Sequence, residues 1–181
     1  MRNKLYIVPI HHPKAVNLEL LRQALSEIFP LRIEFLALDL DIESVFNARR
    51  HQYHSTEILA NLLRQMPDDA ERILAITDLD LYIPILTFVF GEAQLRGRAA
   101  VVSCHRLKNE FYGIPADNDI LVDRLIKEAV HELGHTYGLV HCENYSCVMH
   151  ASTYVEEIDT KDYHFCLDCQ AQLENPEIQI P

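Results

Sequence analysis

Apolar and polar positions divide the chain into segments of two periods. Lys4 to Ile10 is an apolar run that reads as a buried strand. From Pro13 to Phe29, apolar side chains at Val16, Leu20, Leu21, Ala24, Leu25 and Ile28 recur at helical spacing. Leu31 to Leu40 alternates through Ile33, Phe35 and Ala37, which predicts a second strand. The stretch DLDIESVFNARRHQYHS reads as a loop. Ser55 is the expected N-cap of a helix to Met66, with Ile58, Leu59, Leu62, Leu63 and Met66 on one face. Strand-like runs follow at Arg72–Thr77, at Ile85–Phe90 (closed by Gly91) and at Arg98–Cys104. Asp117, Asn118 and Asp119 then crowd the start of a long helix, where carboxylates suit the helix dipole. That helix should reach about Tyr137, burying Val122, Ile126, Ala129, Leu133 and Tyr137. Beyond it the chain turns polar and rich in Cys and His, with a short last helix near Cys169–Leu173. Strands separated by helices predict an α+β or α/β fold: a mixed twisted sheet with packed helices.

Composition narrows the partners. The 181 residues suit one domain, and about half are apolar, enough for a core without staples. A formal net charge of −11 argues against nucleic acid and against an anionic membrane surface, both of which call for clustered Lys and Arg. No stretch approaches the roughly 20 apolar residues of a membrane span. The opening MRNKLYIVPIHHP is interrupted at Pro9 and is too short for a signal-peptide core, so a strand and a cytoplasmic location are expected. The five cysteines are an odd set with close pairs, which in a reducing compartment suggests metal before disulfides.

The stretch HELGHTYGLVHCENYSCVM, His131 to Met149, carries the densest chemistry. His131 and His135 lie four apart on the predicted helix, so both imidazoles share one face and can grip one ion. Glu132 cannot easily ligate the same ion but can reach a water on it, the arrangement of two zinc ligands and a general base. Gly138 can take φ > 0 and end the helix, returning His141 as a third nitrogen. Three protein ligands leave a fourth position for water, as catalytic zinc sites do. Water so acidified can attack an amide carbonyl, with Glu132 passing the proton to the leaving amine. The bland alternative is a chance match on an amphipathic helix.

Cys142, Cys147, Cys166 and Cys169 form a second set, a close pair followed by C-x-x-C. Four thiolates saturate a tetrahedral zinc, which is the structural kind of site. It would tie the polar C-terminal segment to the helix end. Neighbouring side chains leave the backbone in different directions, so His141 and Cys142 can face two separate ions. Free thiols or a redox pair are the alternatives.

The pattern H-E-x-x-H-x-x-G-x-x-H, followed by Met149, resembles the metzincin clan of zinc peptidases. Cys142, Cys147, Cys166 and Cys169 around that methionine narrow the likeness to the archaemetzincins. It extends upstream through RRHQYHST, ITDLDLYIPILTFVFGEA and RAAVVSCHRL. The resemblance implies one catalytic domain over 1–181: a sheet and helix part to about 140, then a cysteine-held part from 141. It implies a catalytic zinc on His131, His135 and His141, Glu132 as base, a structural zinc on the four cysteines, and Met149 packed beneath the first zinc. A peptide substrate would lie beside an edge strand, for which RAAVVSCHRL is the candidate. Some metzincins carry a tyrosine two residues after the methionine; here Ala151 stands there, so no such helper carries over.

Other residues invite weaker readings. Cys104 could mask the zinc, or simply fill a strand. His11 and His12 could bind metal. Arg49, Arg50, His51 and His54 could meet a substrate carboxylate, or form a solvated loop. Tyr137 and Tyr154 could assist catalysis or pack. His150 and His164 lie near the cysteines. Two rival functions stand beside peptide hydrolysis: a zinc-stabilised binding protein without turnover, and a zinc-finger nucleic-acid binder that the acidic charge opposes. Cleavage preference and oligomeric state are not encoded in any motif.

Overall fold

A computed structural model describes residues 3–11 and 16–175. His12 and the stretch 13–15, where the first helix was expected to begin, lie outside them. In chain order the elements are β1 (Lys4–Ile10), α1 (Leu18–Ile28), β2 (Arg32–Phe35), β3 (Phe46–Asn47), β4 (Gln52–His54), α2 (Ser55–Arg64), β5 (Ala70–Thr77), β6 (Leu81–Tyr82), β7 (Gly91–Ala93) and β8 (Ala99–Ser103). Three helices follow: α3 (Asn118–Thr136), α4 (Val155–Thr160) and α5 (Leu167–Glu174). No helix among the described residues is long and apolar enough to cross a membrane.

The main sheet has the order β2-β1-β5-β8-β7. All its pairings are parallel except β7 with β8, so the sheet is mixed. Strand alternation divides the apolar side chains between two cores. Leu5, Ile7, Leu74, Ile76, Ala100 and Val102 face α1 and α3. Tyr6, Val8, Ile73, Ala75, Ala99 and Val101 face the other way, toward α2. Strands buried on both faces read as near-continuous apolar runs, which is why β1, β5 and β8 stood out in the sequence. Fully burying one such side chain contributes about 1.5–3 kcal/mol.

Four expected elements differ. Only Arg32–Phe35 of the Leu31–Leu40 run pairs with β1; Leu36, Leu38 and Leu40 instead pack irregularly on the second core. The expected loop after Leu40 contains β3 and β4, which form a small second sheet with β6 in the order β3-β4-β6. Ile85–Phe90 is not a strand: its Ile85 is 87% exposed, Val89 forms only an isolated bridge to Leu81, and the Phe90 carbonyl accepts from the Ser103 N–H at 2.8 Å. The pairing strand is β7, just beyond it. Consequently the RAAVVSCHRL segment holds an interior strand, β8, while β7 forms the edge. Ser55 is the first residue of α2, not its cap; His54 holds the cap position, and α2 ends at Arg64.

The long helix matches its expected span closely. Asp117 caps it, its carboxylate accepting from the N–H groups of Asp119 and Ile120, each at 3.0 Å. Ala129 and Leu133 are buried as expected, whereas Val122 and Ile126 are only partly so, and Leu121, Leu125 and Val130 complete the packed face. Tyr137 follows the last turn and stacks on Phe29, ring centroids 5.6 Å apart.

Candidate active site and cysteine cluster

Helix α3 ends in a Schellman turn. Gly138 sits at φ +99°, its N–H bonds to the His135 carbonyl at 2.9 Å, and the Leu139 N–H reaches the Gly134 carbonyl at 3.1 Å. The reversal brings His141 back to the histidines of the helix. Ring centroids lie 4.6 Å apart for His131 and His135, 5.4 Å for His131 and His141, and 5.1 Å for His135 and His141. One ring nitrogen from each of the three lies within 4.8 Å of the others.

Hydrogen bonds fix which nitrogens are free. His131 Nδ1 lies 2.8 Å from the Val148 carbonyl, and His135 Nδ1 lies 2.7 Å from the Leu139 carbonyl. Carbonyls only accept, so each Nδ1 carries the proton. Burial, reinforced by the charge of Lys161, holds the His131 pKa well below the usual imidazole value, and burial lowers that of His135 and His141 as well. Neutral rings protonated on Nδ1 turn two lone pairs toward each other at the Nε2 atoms, which are 3.1 Å apart. Two acceptors that close repel unless a cation lies between them. A tetrahedral zinc with Zn–N of about 2.0–2.1 Å spaces its nitrogens by roughly 3.3 Å, so the donor set fits zinc.

Glu132 is 6% exposed and lines the same cleft, of about 480 Å³, with the three histidines. Burial first, then the negative charge of Glu128, pushes its pKa well above the carboxylate range. Glu128, one turn earlier, also lines the cleft. Its Oε1 accepts from the Lys161 ammonium at 3.1 Å, and both side chains are almost wholly buried. Glu92 of β7 also lines the cleft, accepting from the Ser55 and Thr56 hydroxyls.

The four cysteines also converge. Cys142 and Cys147 lie in the loop after His141, Cys166 caps α5, and Cys169 lies in its first turn. Their Sγ atoms lie within 4.8 Å of one another, Cys142 to Cys166 at 3.8 Å and Cys147 to Cys169 at 3.7 Å. A disulfide needs about 2.05 Å, and all five cysteines are free. Zinc with Zn–S of about 2.3 Å spaces its sulfurs by roughly 3.8 Å, so this set fits zinc too. The two clusters share main chain: the carbonyl that orients His131 belongs to Val148, directly after Cys147. Met149 is fully buried under α3, its carbonyl accepting from the Cys142 N–H at 3.0 Å.

Several weaker candidates have structural employment. Cys104 is wholly buried in the core, and burial pushes its thiol pKa to about 12. Arg50 lies over the Tyr82 ring at 4.3 Å and donates to the Leu86 and Thr87 carbonyls, bracing the Ile85–Phe90 stretch. Arg49 and His51 are exposed, and His54 stacks on Tyr82. His11 is exposed. His150 bonds the Cys142 carbonyl at 2.8 Å, and His164 pairs with Asp162 on the surface. Tyr154 is 66% exposed, and Tyr137 packs between Phe29 and the Arg72 guanidinium. The motifs did not point to Lys161, Gly91 or Glu92. Lys161 stands in an acidic, solvent-like stretch, and nothing local signals its burial.

Comparison with known proteins agrees with this geometry. A profile of peptidase family M54 matches residues 25–175. The archaemetzincin of Methanocaldococcus jannaschii is 38% identical over 177 residues, covering 98% of this chain and 96% of that one. The crystal structure of archaemetzincin from Methanopyrus kandleri superposes with a TM-score of 0.84 at 34% identity, covering 96% of this chain and 94% of that one. A zinc-dependent peptidase from Methanocorpusculum labreanum gives a TM-score of 0.79 at 32% identity, over 93% and 99% of the two chains. The chain therefore belongs to peptidase family M54, the archaemetzincins, and is a zinc metallopeptidase.

Proposed function

We propose that His131, His135 and His141 hold a catalytic zinc, that Glu132 is the general base of peptide hydrolysis, and that Cys142, Cys147, Cys166 and Cys169 hold a second, structural zinc. The observation that carries this reading is the pair of Nε2 lone pairs 3.1 Å apart. Bound among these rings, zinc supplies a Lewis acid that acidifies water and polarises a peptide carbonyl. The chain's own groups do the rest. The Val148 and Leu139 carbonyls hold His131 and His135 in the ligating tautomer. Glu132, buried beside them, takes a proton from water at its carboxylate and delivers it to the departing amine. Met149 floors the site by packing, not by ligation. The motif order supports a place in the metzincin clan. Residues 1–181 act as one catalytic unit, with the stretch from 141 fastened by the cysteine-bound ion. Cysteines grouped to hold a metal are in keeping with a reducing, cytoplasmic location.

A binding module without turnover is the less favoured reading, because a structural zinc needs no buried carboxylate beside it. The test replaces Glu132 with Gln, which keeps the shape and removes the base. Zinc content should stay the same while cleavage of a peptide library falls by roughly 10²-fold or more. Unimpaired turnover in Glu132→Gln would sink the assignment.

A further inference from the structure

We infer that Gly91 on the edge strand β7 is a positioning residue for Glu132, an inference that rests on the role proposed for that glutamate. The reason is space and not backbone conformation, since Gly91 is not among the positive-φ glycines. A Cβ built at Gly91 would fall 2.7 Å from Glu132 Cγ and 2.8 Å from Glu132 Oε1. It would also fall 2.8 Å from the Val101 carbonyl on the neighbouring strand. Carbon atoms of real side chains do not approach that closely, so the bare α-carbon is the wall against which the carboxylate rests. Glu132 is 6% exposed and lines the cleft, so a methyl group added at position 91 would push its carboxylate out of place toward that cleft.

The strand is in turn fixed to its surroundings at both ends of the β7–β8 hairpin. At one end Glu92 is held by the Ser55 and Thr56 hydroxyls at the start of α2. At the other, the Arg96 N–H donates to the His135 carbonyl at 3.0 Å, and the Arg96 side chain lies against Gly138. The hairpin therefore touches α3 at Glu132 and again one turn later, beside a histidine of the proposed zinc site. This double tether sets the register between the sheet edge and the catalytic helix. A misplacement of about 1 Å at a reacting group costs on the order of 10²-fold in rate, so a methyl group at position 91 should act on chemistry more than on binding.

The experiment combines Gly91→Ala with Glu132→Ala in a four-protein set, read by thermal melting, and compares Gly91→Ala with wild type for zinc content and peptide turnover. Gly91→Ala should keep its zinc, lose at least tenfold in kcat with little change in KM, and melt roughly 2–10 °C lower. Truncating Glu132 removes the Cγ and Oε1 contacts, so in the Glu132→Ala background the same substitution should lower the melting temperature by less than half as much. A kcat within twofold of wild type would overturn the inference. So would an equal melting penalty in both backgrounds, which would assign the clash to the Val101 carbonyl alone. If the wild type itself cleaves nothing, the peptidase reading fails, while the melting comparison still decides whether Gly91 and Glu132 are packed as described.

Discussion

Replacing Lys161 with Met tests the buried charge beneath the cleft. The Lys161 side chain is 0% exposed, and its ammonium donates to Glu128 at 3.1 Å and to the His150 carbonyl at 3.2 Å. Met nearly conserves the volume, so the cavity term is small and the charge term dominates. Removing one member of a buried ion pair leaves the other uncompensated, at a cost of about 3–5 kcal/mol. For a chain of this length each kcal/mol shifts the melting temperature by roughly 2–4 °C, so Lys161→Met should melt on the order of 6–20 °C lower. Adding Glu128→Gln removes the stranded charge, and the double variant should recover a substantial part of the loss. Scanning calorimetry of the zinc-loaded proteins at fixed pH reads all four members of the cycle. A melting temperature for Lys161→Met within 2 °C of wild type, or strictly additive losses in the double variant, would refute the reasoning that this pair is energetically coupled.

Two further outcomes follow from the same structure. Cys104 is wholly buried with its thiol pKa raised to about 12 by burial, so at pH 8 it stays protonated and shielded. Iodoacetamide should leave it unlabelled in the native protein and label it after denaturation, as peptide mass mapping would reveal; rapid native labelling would contradict its place in the core. Cys169→Ser should remove about one zinc per chain and also weaken metal binding by the histidines, because Val148, which orients His131, follows Cys147 directly. Titration with cobalt, followed by its visible absorption, measures the second effect; unchanged affinity at the histidines would separate the two clusters.

What the sequence made readable follows from the range of the interactions involved. The histidine cluster needs one helical turn and one glycine reversal, both local, so His131, His135, Gly138 and His141 could be placed together before any fold was known. Strands β1, β5 and β8 were readable because burial on both faces leaves an unbroken apolar run. The same signal misled at Ile85–Phe90: Leu86, Phe88 and Val89 border the cleft and stay partly exposed, and of this stretch only Phe90 is buried in the core. Alternation at Leu31–Leu40 outlasted its strand, because burial by irregular packing leaves the same pattern as a pleat. The strands of the small sheet span only two or three residues each, too few for any period to register. Contacts between distant segments were out of reach. Lys161 meets Glu128 across 33 residues, and the space that Gly91 leaves for Glu132 exists only once β7 lies against α3.

The most direct measurement is zinc-edge X-ray absorption of the fully loaded protein, together with its zinc count. Two ions per chain should be found, with an averaged ligand shell of about two sulfurs near 2.3 Å and two lighter atoms near 2.0–2.1 Å. On selective loss of the cysteine-bound ion the sulfur signal should vanish, leaving three imidazoles and one exchangeable oxygen. A single zinc with mixed nitrogen and sulfur ligands, or a histidine site closed by a fourth protein ligand, would contradict the proposal that this cleft keeps one position open for water.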